Sequence, residues 1–507
     1  MARPPNKLAD SLQVLHDLQA AGRTAIRSSD LSRTMRERLQ DAGFLREVMR
    51  GWYIASRPDE PNGESTAWYA SFWGFCAEYL TERFGEDWVI GPEQSLILHA
   101  GNRTVPTQLL VRAKGGRNNP TGLIHGTSIF DTNVALPPSA DRVTLEEGVH
   151  AYRCEPALIL VSAQFYLAHP TDARAVLASQ TNTSELLARL LDGNHSVVAG
   201  RLAGAFRNIG HDRVADDILG AMKSAGFDVR EADPFERPLT FALPRDPSPA
   251  SNRIRLMWQD MRQRVIDAFP PPPRVNDVDA YLTRVEENYV NDAYNSLSIE
   301  GYKVSKELIE RVRDGNWNPD ANEADKRQRD ALAARGYYQA FQAVKASLGR
   351  ILSGDNAGDV ADRDHQTWYR ELFAPSVQAG ILTAVQLAGY RNMPVYIRGS
   401  RHVPMGHDAA RDAISTFFEL LRDEPEASVR VVLGHYIFVF IHPYIDGNGR
   451  IGRFLMNAMM ASGGYPWTVI PVARRDEYMA ALEAASVDGD IGPFADFIAG
   501  LLEAPAI

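Results

Sequence analysis

The sequence predicts a multidomain protein whose first half mixes helices and strands and whose second half is almost entirely helical. The chain has 507 residues, which is more than one domain usually holds. A proline-rich segment, Asp233 to Pro273, separates the two halves. Before it lie β-rich runs such as FLREVMRGWYIAS and TQLLVRA, and after it nearly every segment has a helical pattern.

The composition excludes several classes of protein. Hydrophobic residues make up 45% and charged residues 23% of the chain, which excludes a wholly disordered protein. The two cysteines, Cys76 and Cys154, lie far apart, so the sequence indicates neither a disulfide framework nor a zinc site. No run is long and apolar enough for a membrane span, and the first residues do not resemble a signal peptide. We therefore expect a cytoplasmic protein without a membrane partner.

The first 58 residues predict a winged helix-turn-helix. Leucines recur at helical spacing from Leu8 to Leu18, and a second helical pattern ends at Gly43. Two β-rich runs follow, around a turn near Gly51. Two helices followed by a hairpin is the element order of a winged helix.

Three further regions are predicted along the chain. Residues 59–230 alternate strand-like and helical runs and predict a mixed α/β region. Residues 231–274 predict a proline-rich linker around one helix, and residues 275–507 predict an all-α domain.

The charge is unevenly distributed between these regions. The whole chain has a net charge of −10, which by itself argues against a general nucleic-acid binder. Residues 1–57 nevertheless hold ten basic and six acidic side chains, a local charge of +4, so the remainder carries −14. A basic module therefore precedes an acidic remainder.

The segment HPYIDGNGRIGR carries the strongest chemical signal. An apolar helix ends at His442, and a new helix begins near Arg450 after a glycine-rich loop. Backbone N–H groups that converge at such a helix start bind phosphates, and Arg450 and Arg453 lie on one face to hold further phosphate oxygens. Asp446 is a hard ligand for Mg²⁺, and His442 suits a general base. Together these residues predict the transfer of a phosphate-containing group from a nucleoside triphosphate.

The same segment resembles the signature of the Fic family, HPF-x-x-GNGR-x-x-R, with Tyr444 where phenylalanine is commoner. The similarity extends over about 230 residues from Val275. Upstream, GYRNMPVYIRGSRHVP resembles the β-hairpin flap of the family. Fic proteins transfer AMP from ATP to a Ser, Thr or Tyr hydroxyl of a target protein. The resemblance therefore implies a protein adenylyltransferase, and the presence of the second arginine favours AMP transfer over phosphorylation.

The resemblance also implies roles for individual residues. His442 would deprotonate the target hydroxyl, and Asp446 would hold Mg²⁺ against the α- and β-phosphates of ATP. Arg450 would bind the β-phosphate and Arg453 the γ-phosphate, while Tyr478 would lie near the adenine. The flap would align the target backbone by β-augmentation through Val395, Tyr396, Ile397 and Arg398. The rest of the expected nucleotide loop consists of Gly447, Asn448, Gly449, Ile451 and Gly452.

A second motif predicts regulation. In SLSIEG, Ser296 and Glu300 are four residues apart on one helical face, and Gly301 follows. The motif resembles the inhibitory S/T-x-x-x-E-G/N motif of Fic proteins. The resemblance implies that Glu300 pairs with Arg453 and occupies the seat of the γ-phosphate, because one carboxylate can fill a bidentate site meant for phosphate.

The amino-terminal region also resembles a known family. The segment DLSRTMRERLQDAGFLREVMRGWYIASRP is similar to AbiEi-type antitoxins of toxin–antitoxin operons, whose winged helices bind promoter DNA. The resemblance implies DNA contacts near the recognition helix and the wing, and the basic residues in these places are Arg33, Arg36, Arg38, Arg46 and Arg50.

The sequence thus predicts an autoinhibited, Mg²⁺-dependent protein adenylyltransferase that uses ATP. Two alternatives stay open: a DNA-binding regulator or antitoxin whose Fic domain senses a nucleotide, and a deAMPylase in which Glu300 positions water. The target protein, the trigger that relieves Glu300, the DNA operator and the oligomeric state, including a homo-oligomer, stay open as well.

Overall fold

The computed structural model describes residues 7–58, 65–239, 241–244, 246–273, 277–315 and 329–503. The chain divides into two compact units. Unit 1 contains residues 1–253 together with 395–403, and unit 2 contains residues 254–394 and 404–507. Within the described ranges, none of the helices combines the length and the apolar character needed to cross a bilayer.

Unit 1 begins with a small three-stranded sheet and two helices. In chain order the elements are α1 (Lys7–Ala20), β1 (Ile26–Arg27), α2 (Arg33–Asp41), β2 (Leu45–Met49) and β3 (Trp52–Ala55). The strands are antiparallel in the order β1-β3-β2. Helix α2 begins where it does because the Ser32 side chain accepts a hydrogen bond from the Met35 N–H. Leu15, Leu39 and Tyr53 are part of the small core between these elements.

A second, mixed sheet follows in unit 1. The elements are α3 (Thr66–Phe84), β4 (Trp88–Ile90), α4 (Pro92–His99), β5 (Gln108–Ala113), β6 (Asn119–Gly122) and β7 (Ser128–Thr132). The strands have the order β4-β5-β7-β6, with β5 and β7 parallel and the other pairs antiparallel. The aromatic helix α3 packs against this sheet through Trp68, Phe72 and Phe75.

The remainder of unit 1 is a short ribbon and a group of helices. The strands β8 (Arg142–Thr144) and β9 (His150–Tyr152) pair antiparallel. The helices are α5 (Cys154–Leu160), α6 (Ala163–Ala168), α7 (Pro170–Ser179), α8 (Ser184–Asp192), α9 (Ser196–Asn208) and α10 (Asp212–Ser224). An α/β region therefore occupies the amino-terminal half, as the sequence predicts.

Unit 2 is helical throughout its described part. Helix α11 (Pro249–Ala268) leads into it, and the proline-rich linker predicted for residues 231–274 therefore contains the one helix expected there. The remaining helices are α12 (Val278–Ile299), α13 (Lys306–Arg313), α14 (Arg329–Leu352), α15 (Ala357–Gln378), α16 (His407–Asp423), α17 (Ala427–Ile441), α18 (Asn448–Ser462), α19 (Arg475–Glu483) and α20 (Gly492–Glu503). Single turns occur in unit 2 at Ala384–Leu387, Val472–Arg474 and Ala484–Asp488, and in unit 1 at Ser139–Asp141 and Glu146–Gly148.

Helices α17 and α18 form the centre of unit 2. Both are buried on nearly all sides, which explains why α17 is apolar around its whole circumference. Helices α14 and α15 pack closely at Gly336, where an added Cβ would lie 1.9 Å from the Leu372 carbonyl oxygen. The junction between α17 and α18 therefore lies between two buried helices.

The segment 395–403, which we call the arm, differs from its prediction. The sequence predicts a β-hairpin flap here, but the described arm is extended chain with a turn at Gly399 and contains no paired strands. Its hydrogen bonds go to other parts of unit 1. The Gly399 N–H donates to Thr66 Oγ1 (2.8 Å), and the Val105 N–H donates to the Arg401 carbonyl (3.0 Å). The arm therefore forms hydrogen bonds to residues far away in the sequence instead of the strand-to-strand hydrogen bonds of a hairpin.

Candidate active site

His442 ends helix α17 in an unusual backbone conformation. Its φ and ψ are 55° and 60°, in the left-handed region that costs a non-glycine residue roughly 1–2 kcal/mol. Its N–H donates to the Phe438 carbonyl at 3.1 Å, and its Nδ1 lies 3.1 Å from the Val439 carbonyl. Because a carbonyl only accepts, Nδ1 carries the hydrogen in this contact, and Nε2 keeps its lone pair.

The surroundings keep the His442 imidazole neutral. Burial, together with the weaker effect of the Arg391 positive charge, lowers the pKa of His442 to about 4, against the opposing effect of the Val439 hydrogen bond. Near pH 7 the side chain is therefore a free base that can accept a proton at Nε2.

Asn448 fixes the shape of the glycine-rich loop. Its Oδ1 accepts from the Tyr444 N–H (2.9 Å), and its Nδ2 donates to the Tyr444 carbonyl (2.8 Å). Gly447, with φ of +81°, provides the left-handed turn that precedes α18. The side-chain amide of Asn448 is thus engaged within the loop, so a contact of Asn448 with phosphate would come from its backbone N–H at the helix start.

Arg450 lies buried at the start of α18. Only 1% of the residue is exposed. Its guanidinium lies between the rings of Tyr302 and Phe373, at 5.3 Å and 5.0 Å from their centroids, and 3.3 Å from Asp446 Oδ2. Burial lowers the pKa of Arg450, but the Asp446 carboxylate and weaker neighbouring groups together outweigh burial, so that the net pKa is raised. The guanidinium therefore stays charged although almost none of the residue is exposed to solvent.

Arg453, one turn further along α18, is held by the predicted inhibitory motif. Its Nη2 donates to Glu300 Oε1 at 2.7 Å, and its Nε donates to Ser296 Oγ at 2.8 Å. Burial lowers the pKa of Arg453, but the neighbouring Glu300 carboxylate and weaker groups together outweigh burial, so that the net pKa is raised. Gly301, with φ of +85°, ends α12 so that Glu300 stands at its last turn.

Glu300 also lies directly on the glycine-rich loop. A Cβ added at Gly449 would be 2.5 Å from Glu300 Oε1. The carboxylate therefore rests against the backbone that opens α18, where an anionic ligand would bind. The contact shows why a larger residue does not fit at position 449 while Glu300 is in this place.

Two buried donors in the site are unused. Among the described residues, Arg450 Nε and Arg453 Nη1 are buried without a hydrogen-bond partner. Leaving such donors unpaired is costly in a protein interior. A phosphate chain offers the acceptors that these two arginines lack.

A buried polar pair, Tyr337 and Asp292, interacts electrostatically with Arg453. Tyr337 donates its hydroxyl to Asp292 Oδ2 at 2.7 Å, and Asp292 lies one helical turn before Ser296. Burial raises the pKa of Asp292 to about 6, against the opposing effect of the Tyr337 hydroxyl. Sequence reasoning missed both residues, although the helical spacing of Asp292 and Ser296 could have indicated the first.

Other predicted site residues have different surroundings. Tyr478 is 1% exposed, and its hydroxyl lies 2.7 Å from Nε2 of His435, so its hydroxyl is engaged inside the helical packing. In the arm, Val395 is buried and Tyr396 is 40% exposed. The roles predicted for Tyr478 near adenine and for residues 395–398 in target docking stay predictions.

The predicted DNA contacts fall into two groups. Arg36 donates to the Ser28 carbonyl, and Arg38 Nη1 donates to the Lys7 carbonyl and to Ser11 Oγ, so both side chains brace the small helical core. Of the other three, Arg33 and Arg50 are exposed, and Arg46 is half-buried like Arg36 and Arg38. Arg33 pairs with an acidic side chain of its own helix, Arg46 lies on β2, and Arg50 lies at the turn of the hairpin.

The comparisons with known proteins agree with this site. Residues 362–460, which include the whole glycine-rich loop, match the model of the Fic/DOC family. Residues 362–460 are therefore similar to a Fic domain. Proteins named "Protein adenylyltransferase Fic" are similar to it: that of Drosophila grimshawi is 30% identical over 234 residues, covering 45% of this chain and 44% of the relative. That of Drosophila willistoni is 29% identical over 234 residues, covering 45% and 43%.

This chain thus spans less than half the length of these curated relatives. Among solved structures, Fic-1 (residues 134–508) of C. elegans is 19% identical, with a TM-score of 0.38 over 65% of this chain and 94% of that one. A Fic domain-containing signaling protein from Bacteroides thetaiotaomicron is 18% identical, with a TM-score of 0.33 over 50% and 92%. These two structural likenesses are too loose to add to the assignment of the Fic domain.

Proposed function

We propose that the Fic domain is a protein adenylyltransferase that moves AMP from ATP to a hydroxyl side chain of a target protein. The observation that carries the proposal is the junction of α17 and α18, where the neutral imidazole of His442 and the buried guanidinium groups of Arg450 and Arg453 flank one glycine-rich helix start. The names of the curated relatives support the same reaction.

The reaction divides the work between three residues. The target hydroxyl oxygen attacks the α-phosphorus of ATP while Nε2 of His442 takes the hydroxyl proton. The bond from the α-phosphorus to the oxygen that bridges to the β-phosphate breaks, and pyrophosphate leaves. Arg450 and Arg453 bind the β- and γ-phosphates, which orients the leaving group and stabilises its charge.

Asp446 fits the Mg²⁺ that such a reaction implies. Its side chain is 62% exposed, and Oδ1 accepts from the Gly447 N–H. Among the described residues no group of three or more acidic, histidine or cysteine side chains forms a closed metal site. Mg²⁺ accepts one carboxylate when phosphates and waters complete its shell. When bound, the ion would neutralise phosphate charge, and Asp446 would hold it.

We also propose that Glu300 keeps the enzyme inactive. Its carboxylate occupies Arg453 at 2.7 Å and lies against Gly449, so the seat proposed for the γ-phosphate is filled by an internal anion. ATP that cannot place its γ-phosphate there would present the α-phosphorus in the wrong direction for in-line attack.

The test uses ATP labelled in either the α- or the γ-phosphate. Wild type, Glu300→Gly and Glu300→Gly/His442→Ala are incubated with Mg²⁺ and cell lysate. We expect the α-label alone to enter protein with Glu300→Gly, little of it with wild type, and none with the double variant. Transfer of the γ-label would instead indicate a kinase.

A basic amino-terminal module supports a second role in DNA binding. We propose that residues 1–58 form a winged helix-turn-helix, because helix α2 follows α1 and precedes a β2–β3 hairpin in a three-stranded sheet. Arg33 and Arg50 are the exposed arginines best placed for phosphate contact.

The DNA proposal is tested on the full chain. A mobility shift on DNA from upstream of its own coding sequence should weaken steeply with added salt, and Arg33→Ala/Arg50→Ala should weaken it further. Arg38→Ala is not a suitable control, because Arg38 braces α1; the exposed acidic Glu37→Gln should bind no less tightly. Binding that does not weaken with added salt would contradict a role in DNA binding.

A further inference from the structure

One buried arginine contacts the backbone on both sides of the proposed base. Arg391 is 2% exposed. Its Nε donates to the His442 carbonyl at 2.8 Å, and its Nη2 lies 3.5 Å from the Ile441 carbonyl. The same guanidinium donates to the carbonyls of Met405 (2.5 Å) and Met393 (3.3 Å), the residues that border the arm within unit 2.

The backbone of Arg391 adds a fifth bond. Its N–H donates to the Pro443 carbonyl at 2.9 Å. Three consecutive carbonyls, those of Ile441, His442 and Pro443, are therefore bound by one residue. They lie at the end of α17 and just past it, where carbonyls have no partner within the helix. The left-handed conformation of His442 persists because its surroundings fix it in this way.

The charge of Arg391 acts on the same side chain. The charged groups that affect the imidazole of His442 are Arg391, which disfavours its protonation, and the carboxylates of Asp446 and Glu300, which favour it. In a Glu300→Gly protein, Arg391 still lowers the pKa of His442 and Asp446 still raises it. Arg391 is thus the cation that opposes the imidazolium form.

We infer that Arg391 is a positioning residue for His442: it holds the imidazole in the direction from which Nε2 receives the target proton. The inference rests on the proposed AMP transfer, in which His442 is the base. The hydrogen bonds of Arg391 reach the loop only at Pro443, its first residue, and none of them goes to Arg450 or Arg453. Its effect reaches the reaction through the backbone of residues 441–443 and through its charge.

Two substitutions separate geometry from charge. In the Glu300→Gly background, Arg391→Met removes both, whereas Arg391→Lys keeps the charge without the fork of donors. We expect Arg391→Met to lower kcat for α-label transfer about 100-fold and to move the acidic limb of its pH profile to higher pH. Arg391→Lys should lower kcat while leaving that limb in place. KM for ATP should stay within about twofold in both, because Arg450 and Arg453 are unchanged.

Arg430 provides the matched control. It lies near the other end of α17 and donates to the carbonyls of Glu424 (2.8 Å) and Pro425 (2.9 Å), so it is also an arginine that binds backbone carbonyls. Arg430→Met should lower the thermal midpoint without moving kcat or the acidic limb. If Arg430→Met changes both in the same way as Arg391→Met, or if a folded Arg391→Met protein keeps the kcat and pH profile of its parent, the inference is wrong.

A readout without turnover separates this inference from the proposed function. Isotope-labelled histidine, assigned by comparison with His442→Asn, reports the tautomer and titration of His442 by NMR. Arg391→Met should raise the pH at which His442 titrates and weaken the preference for hydrogen on Nδ1, and Arg430→Met should do neither. If Glu300→Gly transfers no label but this shift occurs, the proposed function fails and the positioning role stands; an unchanged His442 signal contradicts the positioning role.

Discussion

Ser296 is the residue that links the inhibitory helix to Arg453 by two contacts. Its hydroxyl accepts from Arg453 Nε, and its carbonyl accepts from Nη2 at 3.1 Å. Ser296→Ala removes the first contact and leaves a buried charged donor without its partner. We expect partial release of Arg453 from Glu300, and therefore AMP transfer between that of wild type and Glu300→Gly.

The same α-label assay measures this effect, with Ser298→Ala on the neighbouring face of α12 as the control. Ser298 is only half-buried, and its carbonyl, which Ala retains, accepts from Gly301. Ser298→Ala should match wild type. Equal activities of Ser296→Ala and wild type, with Glu300→Gly active, would show that Glu300 alone holds Arg453.

The pH dependence of transfer follows from His442. Because burial lowers its pKa to about 4, the imidazole is already unprotonated through the whole range from pH 8 to pH 6. The kcat of Glu300→Gly should therefore be flat across this range and should fall only on approach to pH 4. A fall centred near pH 6.5, the usual value for histidine, would contradict this description of the site.

At the scale of single elements, the contact of α14 with α15 sets a strict steric limit. Gly336→Ala would place a Cβ 1.9 Å from the Leu372 carbonyl oxygen, so the helices must separate, and we expect a loss of roughly 1–3 kcal/mol in the free energy of unfolding. Gly349 lies on the same helix with no atom within 4 Å of an added Cβ. Gly349→Ala should stabilise by up to about 1 kcal/mol through helix propensity.

Thermal or denaturant unfolding of the two variants checks this pair. The two substitutions add the same methyl group to one helix, so propensity alone predicts equal stabilisation. A thermal midpoint for Gly336→Ala at or above that of wild type would mean that the two helices do not approach this closely.

The elements show what the sequence could and could not predict. The junction of α17 and α18 was predictable because its parts, His442 to Arg453, are consecutive and their chemistry depends on spacing. The contacts of Arg391 and Tyr302 were not, because they depend on how distant helices pack. The prediction of a hairpin for the arm was wrong for a similar reason. The hydrogen-bond partners of the arm, Thr66 and Val105, lie about 300 residues earlier in the chain.

At the scale of the whole molecule, buried histidines predict sensitivity to acid. Burial lowers the pKa of both His365 and His435 to about 4, from a usual value near 6.5. Between these values the unfolded chain binds more protons than the folded one. The free energy of unfolding should therefore fall as the pH falls through this window, by up to about 1.4 kcal/mol per pH unit for each histidine.

Unfolding measured at pH 7 and at pH 5 checks this dependence. His435→Gln removes one titrating group and should reduce the loss between the two pH values, whatever its effect at pH 7. His407→Gln, at the half-exposed start of α16, should leave the loss unchanged. A loss that is the same in all three proteins would exclude His435 as a source.

Charge is unevenly distributed along the whole chain. The chain is acidic overall, yet Arg450 and Arg453 lie buried within its acidic part, and the basic residues 1–57 precede it. Net charge therefore predicts neither the nucleotide site nor a DNA role. Both depend on where a few arginines stand and on which carboxylates pair with them.

The decisive measurement is transfer of the α-label from ATP to protein by Glu300→Gly. We expect this variant to label protein hydroxyl groups far more strongly than wild type does. We also expect His442→Ala in the same background to abolish the label while leaving ATP binding in place. A folded Glu300→Gly protein that binds ATP but labels neither itself nor any protein in a lysate would contradict the claim.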